Sequence, residues 1–330
     1  MITHKERLKR CLANDKIDRV PVALWRHFPV EDQSPGLLAK AVIQFQETYD
    51  FDLVKITPSS SFCVKDWGVI DQWRGNPEGT RDYRNFPIQY PEDWSKLKKL
   101  PSSKGSLLEQ LECIRLIKQN LPSGTPVIQT IFSSLAQSKN LVGKENLAIH
   151  LRMHPDGLKA GLRTITETTI EFIKAAIKLG IDGIFFAVQH AQASIISPIE
   201  FDEFAVPYDL EVLETAKELW LNFAHIHGSN IYFDKVCRYP VNVLNWHDLE
   251  TPPDLNTGIR LFRGSVCGGL KQWDTLVYGT PDQVTKEALD SISHTDSSRF
   301  ILGTGCVLPI VAPHSNILAA RKAVEIRVNG

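Results

Sequence analysis

The chain has 330 residues, 43% of them apolar and 23% charged, which suits a globular protein with a sizeable core, built as one large domain or two ordinary ones. A formal net charge of -1 argues against a nucleic-acid or anionic-membrane partner. The six cysteines include no Cys-x-x-Cys pair and the polar start Met1-Ile2-Thr3-His4 has no apolar core, so a reduced, cytoplasmic protein without a signal segment or membrane span is expected.

In chain order, Thr3–Asn14 reads as a capping helix. Eight short β-rich runs follow: Pro21–Trp25, Asp52–Thr57, Pro126–Ile131, Asp182–Val188, Leu221–Ile226, Val241–Trp246, Ile259–Arg263 and Arg299–Leu302. Helical spacing separates most of them, over Leu158–Leu179 and Glu200–Leu219 in particular, and Ser315 is a candidate N-cap for Ile317–Val324. This alternation predicts an α/β fold, a (β/α)8 barrel in a single domain over residues 1–330. A doubly wound open sheet is the alternative, but Trp25-Arg26-His27 stands where its glycine fingerprint would follow the first strand. Trp67–Pro101 is too long for a simple βα loop. It is expected to be an insertion after strand two that covers the barrel mouth, with Trp73 and Tyr83 walling the pocket.

In such a barrel, function sits where strands end. Those ends carry Arg26-His27, Thr57-Pro58-Ser59-Ser60-Ser61, Gln189-His190, His225 and His227, Trp246-His247, and Gly303-Thr304-Gly305-Cys306. Five of the ten histidines (His27, His190, His225, His227 and His247) fall there. His225 and His227 are two apart on a strand, so their imidazoles share a face. Two imidazoles and a distant thiolate suit a borderline-soft metal, and three protein ligands with one open position is the arrangement of catalytic zinc. Arg26 is a candidate carboxylate clamp, because a guanidinium binds carboxylates bidentately.

Several stretches resemble the uroporphyrinogen decarboxylase superfamily. The run Phe300-Ile301-Leu302-Gly303-Thr304-Gly305-Cys306, continued by Pro313-His314-Ser315-Asn316-Ile317, is similar to its most recognisable block. Asp18-Arg19-Val20-Pro21-Val22, Phe51-Asp52-Leu53-Val54-Lys55 and His225-Ile226-His227-Gly228 also match, in order along the chain. The resemblance implies a (β/α)8 enzyme with one of two chemistries. Metal-independent uroporphyrinogen decarboxylases carry two arginines in an N-terminal block and an aspartate after strand two. Here only Arg26 matches, and Thr57-Pro58-Ser59-Ser60-Ser61 replaces the aspartate region. The cobamide-dependent methyltransferases hold zinc through a His-x-Cys pair and a later cysteine. By that resemblance His225, His227 and Cys306 are the zinc ligands and catalytic residues, with His227 in place of the family's first cysteine.

A site with one thiolate and two imidazoles leaves zinc a net positive charge, which lowers the pKa of a bound thiol further. The reading favoured is methyl transfer between a corrinoid or other methyl donor and a zinc-bound thiol, with zinc as cofactor and a corrinoid-carrying protein as a candidate partner. Candidate substrate-binding residues are Arg26, His27, Ser60, Gln189, His190, Trp246 and His247. A metal-independent decarboxylase and a non-catalytic tetrapyrrole- or corrinoid-protein-binding barrel stand as alternatives. A monomer or a homodimer is expected.

Overall fold

Short apolar runs alternating with helices produce a parallel sheet that curls on itself. The computed structural model describes residues 2–295 and 297–326. Its strands are β1 (Val54–Ile56), β2 (Ile70–Gln72), β3 (Asp82–Asn85), β4 (Val127–Phe132), β5 (Gly183–Val188), β6 (Phe223–Ile226), β7 (Val243–Trp246), β8 (Ser265–Leu270) and β9 (Phe300–Thr304). Seven of them form one sheet in the order β1-β4-β5-β6-β7-β8-β9, every neighbouring pair parallel. The expected first strand, Pro21–Trp25, is an extended segment with a single bridge, Val22 to Leu302. It still closes the ring. Leu302 N donates to Pro21 O, Ala23 N to Leu302 O, and Asp52 N to Val22 O, at 2.8, 2.9 and 2.8 Å. The segment therefore lies between β9 and the start of β1, and the fold is the expected α/β barrel. Among the described residues, no helix is long and apolar enough to cross a membrane.

Side-chain alternation divides the barrel residues into two sets. One set packs against the helices. The other fills the lumen: Ala23, Trp25, Leu53, Ile128, Phe185, Phe223, Val243, Cys267 and Ile301 form one buried cluster, joined by Leu8 and Cys11. The last two belong to the expected N-terminal helix, His4–Ala13, which starts on a Thr3 cap. That helix plugs the end of the barrel where strands begin. Asp52 fastens it there. Its fully buried carboxylate accepts from Arg7 Nη1 at 2.7 Å, Arg19 Nη1 at 2.7 Å, His4 Nδ1 at 2.9 Å and Val22 N at 2.8 Å. Burial opposes ionisation, yet His4 and Arg19 outweigh it and hold this carboxyl well below the usual range. Removing one partner from such a buried ionic network costs about 3–5 kcal/mol.

Three expectations about elements need correction. The Ile259–Arg263 run is not a strand. It spans the end of a short helix, Leu255–Leu261, capped by Asp254, and the strand follows at β8. The Glu200–Leu219 region holds two helices, Pro198–Phe204 and Val206–Thr215, because Pro207 has no N–H to carry the first one through. The last helix, His314–Ala323, begins after Pro313, so Ser315 lies inside its first turn and caps nothing.

The Trp67–Pro101 insertion contains the antiparallel hairpin β2–β3 and a 3-10 segment, Pro91–Lys96, that buries Trp94. Glu78, Gly79 and Thr80, between the two strands, reach the barrel mouth. Gly79 has φ +77, and a Cβ there would lie 2.4 Å from that of His27. Only glycine permits this conformation at this distance. Glu78 Oε1 then accepts from Trp273 Nε1 at 3.1 Å, pinning the insertion to the opposite rim. The covering residues are thus Glu78 and Thr80, not Trp73 and Tyr83. Trp73 bonds to Asn76 O within the insertion, and Tyr83 bonds to Ser60.

Candidate metal centre

Above the apolar lumen cluster, the same inward alternation continues with polar residues. On β6 the inward set is Phe223 and His225, continued by His227. On β7 it is Val243 and Asn245, continued by His247. The register pairs His225 with Ala187 on one side and with Asn245 on the other. Ala187 is small and leaves room above Phe185, whose ring stacks on His225 with centroids 5.5 Å apart.

Cys306 arrives from the turn after β9. Gly305 makes that approach possible, since a Cβ there would sit 2.7 Å from His247 Cα and 3.0 Å from Trp246 O. Cys306 Sγ lies 3.6 Å from His225 Nε2 and 3.7 Å from His227 Nδ1. The ligand atoms of His225, His227, His247 and Cys306 all fall within 4.8 Å of one another. His247 Nδ1 faces the Glu250 carboxylate at 3.5 Å, while its Nε2 is buried and lacks a hydrogen-bond partner.

The protonation states follow from the surroundings. Asn245 Nδ2 donates to Cys267 O and Thr304 O, both at 2.9 Å, so its Oδ1 must face His225 Nδ1, 2.7 Å away. His225 therefore carries its proton on Nδ1 and directs the Nε2 lone pair at Cys306. Burial, reinforced by His227 and His247, holds His225 well below its ordinary pKa. Burial and His247 bring His227 down to about 4, and burial lowers His247 as well. All three imidazoles are neutral at pH 7. Burial pushes the Cys306 thiol up to about 11, so a thiolate there requires positive charge beside it.

This donor set fits zinc. Neutral imidazoles and a thiol are its usual ligands, and tetrahedral bonds of about 2.0–2.3 Å place neighbouring ligand atoms roughly 3.5 Å apart, close to the observed 3.6 and 3.7 Å. The orphaned Nε2 of His247 is a further lone pair with no other use. The Asn245 contact is the kind of outer-shell bond that orients a ligating histidine.

The cluster borders a cavity of about 90 Å³ lined by Trp25, His27, Lys55, Thr57, Glu78, Thr80, Thr130, Phe132, Phe185, Ala187, Gln189, Val307 and the ligand residues His225, His227 and Cys306. Of the other expected site residues, His27 and Gln189 line it. Burial, with Lys55 and Arg81, pulls His27 down to about 3. Gln189 Oε1 accepts from Lys139 Nζ at 3.3 Å. His190 is buried beside this wall with Nδ1 unpartnered, and is not part of the lining. Ser60 is tied to the insertion through Tyr83. Trp246 points outward, packs on Phe233 and donates to Pro253 O at 2.8 Å. Arg26 also turns away, over the Phe28 ring and onto Ile310 O.

Sequence reading missed Lys55 and Asn245, and gave His247 no place among the ligands. Each lies on the inward parity of its strand, two residues from an inward neighbour: Leu53 before Lys55, Asn245 before His247. That two-residue step was the available signal.

Fold and donor cluster define a barrel with a candidate metal centre at the carboxyl ends of its strands. The uroporphyrinogen decarboxylase (URO-D) family model matches residues 3–326, and the chain belongs to that family. It is 22% identical to the methylcobamide:CoM methyltransferase MtbA of Methanosarcina acetivorans over 99% of this chain and 98% of that protein. A uroporphyrinogen decarboxylase of Flavobacterium johnsoniae is 23% identical over 57% of this chain and 55% of its own length. Among solved structures, a methyltransferase from Methanosarcina mazei shares the fold with a TM-score of 0.86 and 19% identity, covering 98% of this chain and 99% of that one.

Proposed function

We propose that this chain is a zinc-dependent methyltransferase that moves a methyl group between a corrinoid, carried by a partner protein, and a small thiol. One observation carries the proposal: the ligand atoms of His225, His227, His247 and Cys306 converge within 4.8 Å of one another beside a cavity. The full-length similarity to a methylcobamide:CoM methyltransferase supports the same reaction class.

His225, His227, His247 and Cys306 are the residues that would hold zinc. Zinc held there would supply the positive charge that lets a thiol give up its proton near neutral pH. Asn245 fixes the His225 tautomer so that its lone pair stays aimed at the cluster. Phe132, Phe185 and Val307 supply the apolar part of the cavity wall.

The decarboxylase alternative finds less support. A drug-sized ligand occupies roughly 300–1,000 Å³, and a porphyrinogen is no smaller, whereas this cavity measures about 90 Å³. Arg26, its only matching clamp, faces away from the cavity.

The test is cobalt substitution. Addition of a small thiol to the cobalt protein should shift its visible spectrum, Cys306→Ala should abolish the shift, and Arg26→Ala should leave it intact. Uroporphyrinogen decarboxylation that survives Cys306→Ala would replace this reading with its rival.

A further inference from the structure

The inserted segment is held at its base as well as at its tip. Its 3-10 turn, Pro91–Lys96, carries the fully buried Trp94 into a notch on the helix Pro155–Lys178. Two glycines four apart make the notch. A Cβ at Gly161 would overlap the indole, and one at Gly157 would lie 3.0 Å from Pro91 O. The indole N–H meets the preceding helix, Lys144–Met153. Trp94 Nε1 donates to His150 Nδ1 at 2.9 Å, and His150 is 6% exposed.

This bond admits one protonation state. An indole N–H is a donor and nothing else, so His150 Nδ1 must offer a lone pair and the ring proton sits on Nε2. A second proton would go to Nδ1 and set two donors face to face. The bond would be lost, and the buried indole N–H would be left without an acceptor. Around the imidazole, His154 opposes a second proton, while Asp93 and Glu92 on the 3-10 turn favour it. The helix Pro155–Lys178 meets the indole through Gly157 and Gly161, which carry no charge. Asp93 is already engaged, since its carboxylate accepts from Gln89 N, Tyr90 N and Lys96 Nζ at 3.0, 2.8 and 2.7 Å. Burial, together with His154, prevails and holds His150 below its ordinary range.

We propose that Trp94 and His150 form a proton-sensitive latch: the insertion that covers the barrel mouth is docked at its base while His150 is neutral, and released there when His150 becomes an imidazolium. The sign follows from linkage. An unfolded histidine titrates near 6.5, above the folded group, so the latch contributes its full stability above about pH 6.5 and loses it as pH falls further. The stretch released is continuous with the β2–β3 hairpin, whose connecting residues Glu78 and Thr80 line the cavity. The latch stands whatever reaction that cavity serves.

Two measurements on the full-length protein test it. The Trp94 indole N–H resonance, identified by its loss in Trp94→Phe, should move between about pH 7.5 and about pH 5, with the midpoint of the His150 ring. His150→Gln keeps an acceptor and cannot titrate, so there the movement should vanish. The second readout is proteolysis between Pro87 and Pro101, taken as the ratio of the unaltered protein to His150→Gln at each pH, so that the protease's own response cancels. That ratio should be near one at about pH 7.5 and rise about tenfold by about pH 5, the factor implied by one buried donor left unpaired. Trp94→Phe has no N–H to orphan, and serves as the reference in place of a glutamine variant that does not fold. An indole resonance that stays fixed across the range, one that moves equally in His150→Gln, or a cleavage ratio that stays at one would overturn the latch.

Discussion

Asn245 determines which nitrogen of His225 faces the cluster. Its amide N–H groups are spent on two backbone carbonyls, so only its oxygen can meet His225 Nδ1, at 2.7 Å. Asn245→Ala should free the ring to rotate and change tautomer. Outer-shell substitutions of this kind cost about 10–100-fold in metal affinity, and competition with a chelator should read that loss in a protein that keeps its fold. Unchanged affinity would show that His225 is oriented by packing alone.

The inserted hairpin depends on one backbone position. Gly79→Ala places a Cβ against His27 at a positive φ. The expected result is an insertion lifted off the mouth, with a stability loss of about 1–3 kcal/mol. Proteolysis should then cut between β2 and β3 faster than in the unaltered chain, while Trp73→Ala, outside the cavity, should leave the cleavage rate unchanged.

A buried acid far from the site gives a stability signature of its own. Burial pushes Asp209 up to about 8, although Tyr239 donates to it at 2.8 Å and acts in the other direction. Unfolded, an aspartate titrates near 3.9. Between these values the folded chain binds the extra proton, so stability is greatest below about pH 4 as far as this group is concerned and declines as pH rises towards 8. Asp209→Asn should flatten that decline in urea-unfolding curves taken across the interval. A slope that persists in the variant would assign it to other groups.

The barrel and the core of the site were legible because both obey simple periods. Eight β-rich runs gave the topology, and the two-residue step from His225 to His227 put both rings on one face. The seventh run was misplaced because the true strand, Ser265-Val266-Cys267-Gly268-Gly269-Leu270, carries two glycines that dilute its β character, while Ile259–Arg263 has the apolar residues of a strand at the end of a short helix. Lys55 was hidden for another reason: a lone lysine in an apolar run gives no sign that its amine lines a cavity until the surrounding walls are placed. The outward turn of Arg26 likewise depends on Phe28, Phe45 and Ile310, which meet it only in the folded chain.

The central claim is that His225, His227, His247 and Cys306 are built to hold zinc, and the most direct measurement is zinc K-edge X-ray absorption on protein purified without chelator. The spectrum should show a single sulfur scatterer at about 2.3 Å and nitrogen scatterers at about 2.0–2.1 Å, with the sulfur shell lost in Cys306→Ala. A folded protein that holds no zinc, or holds it through oxygen ligands alone, would contradict the account.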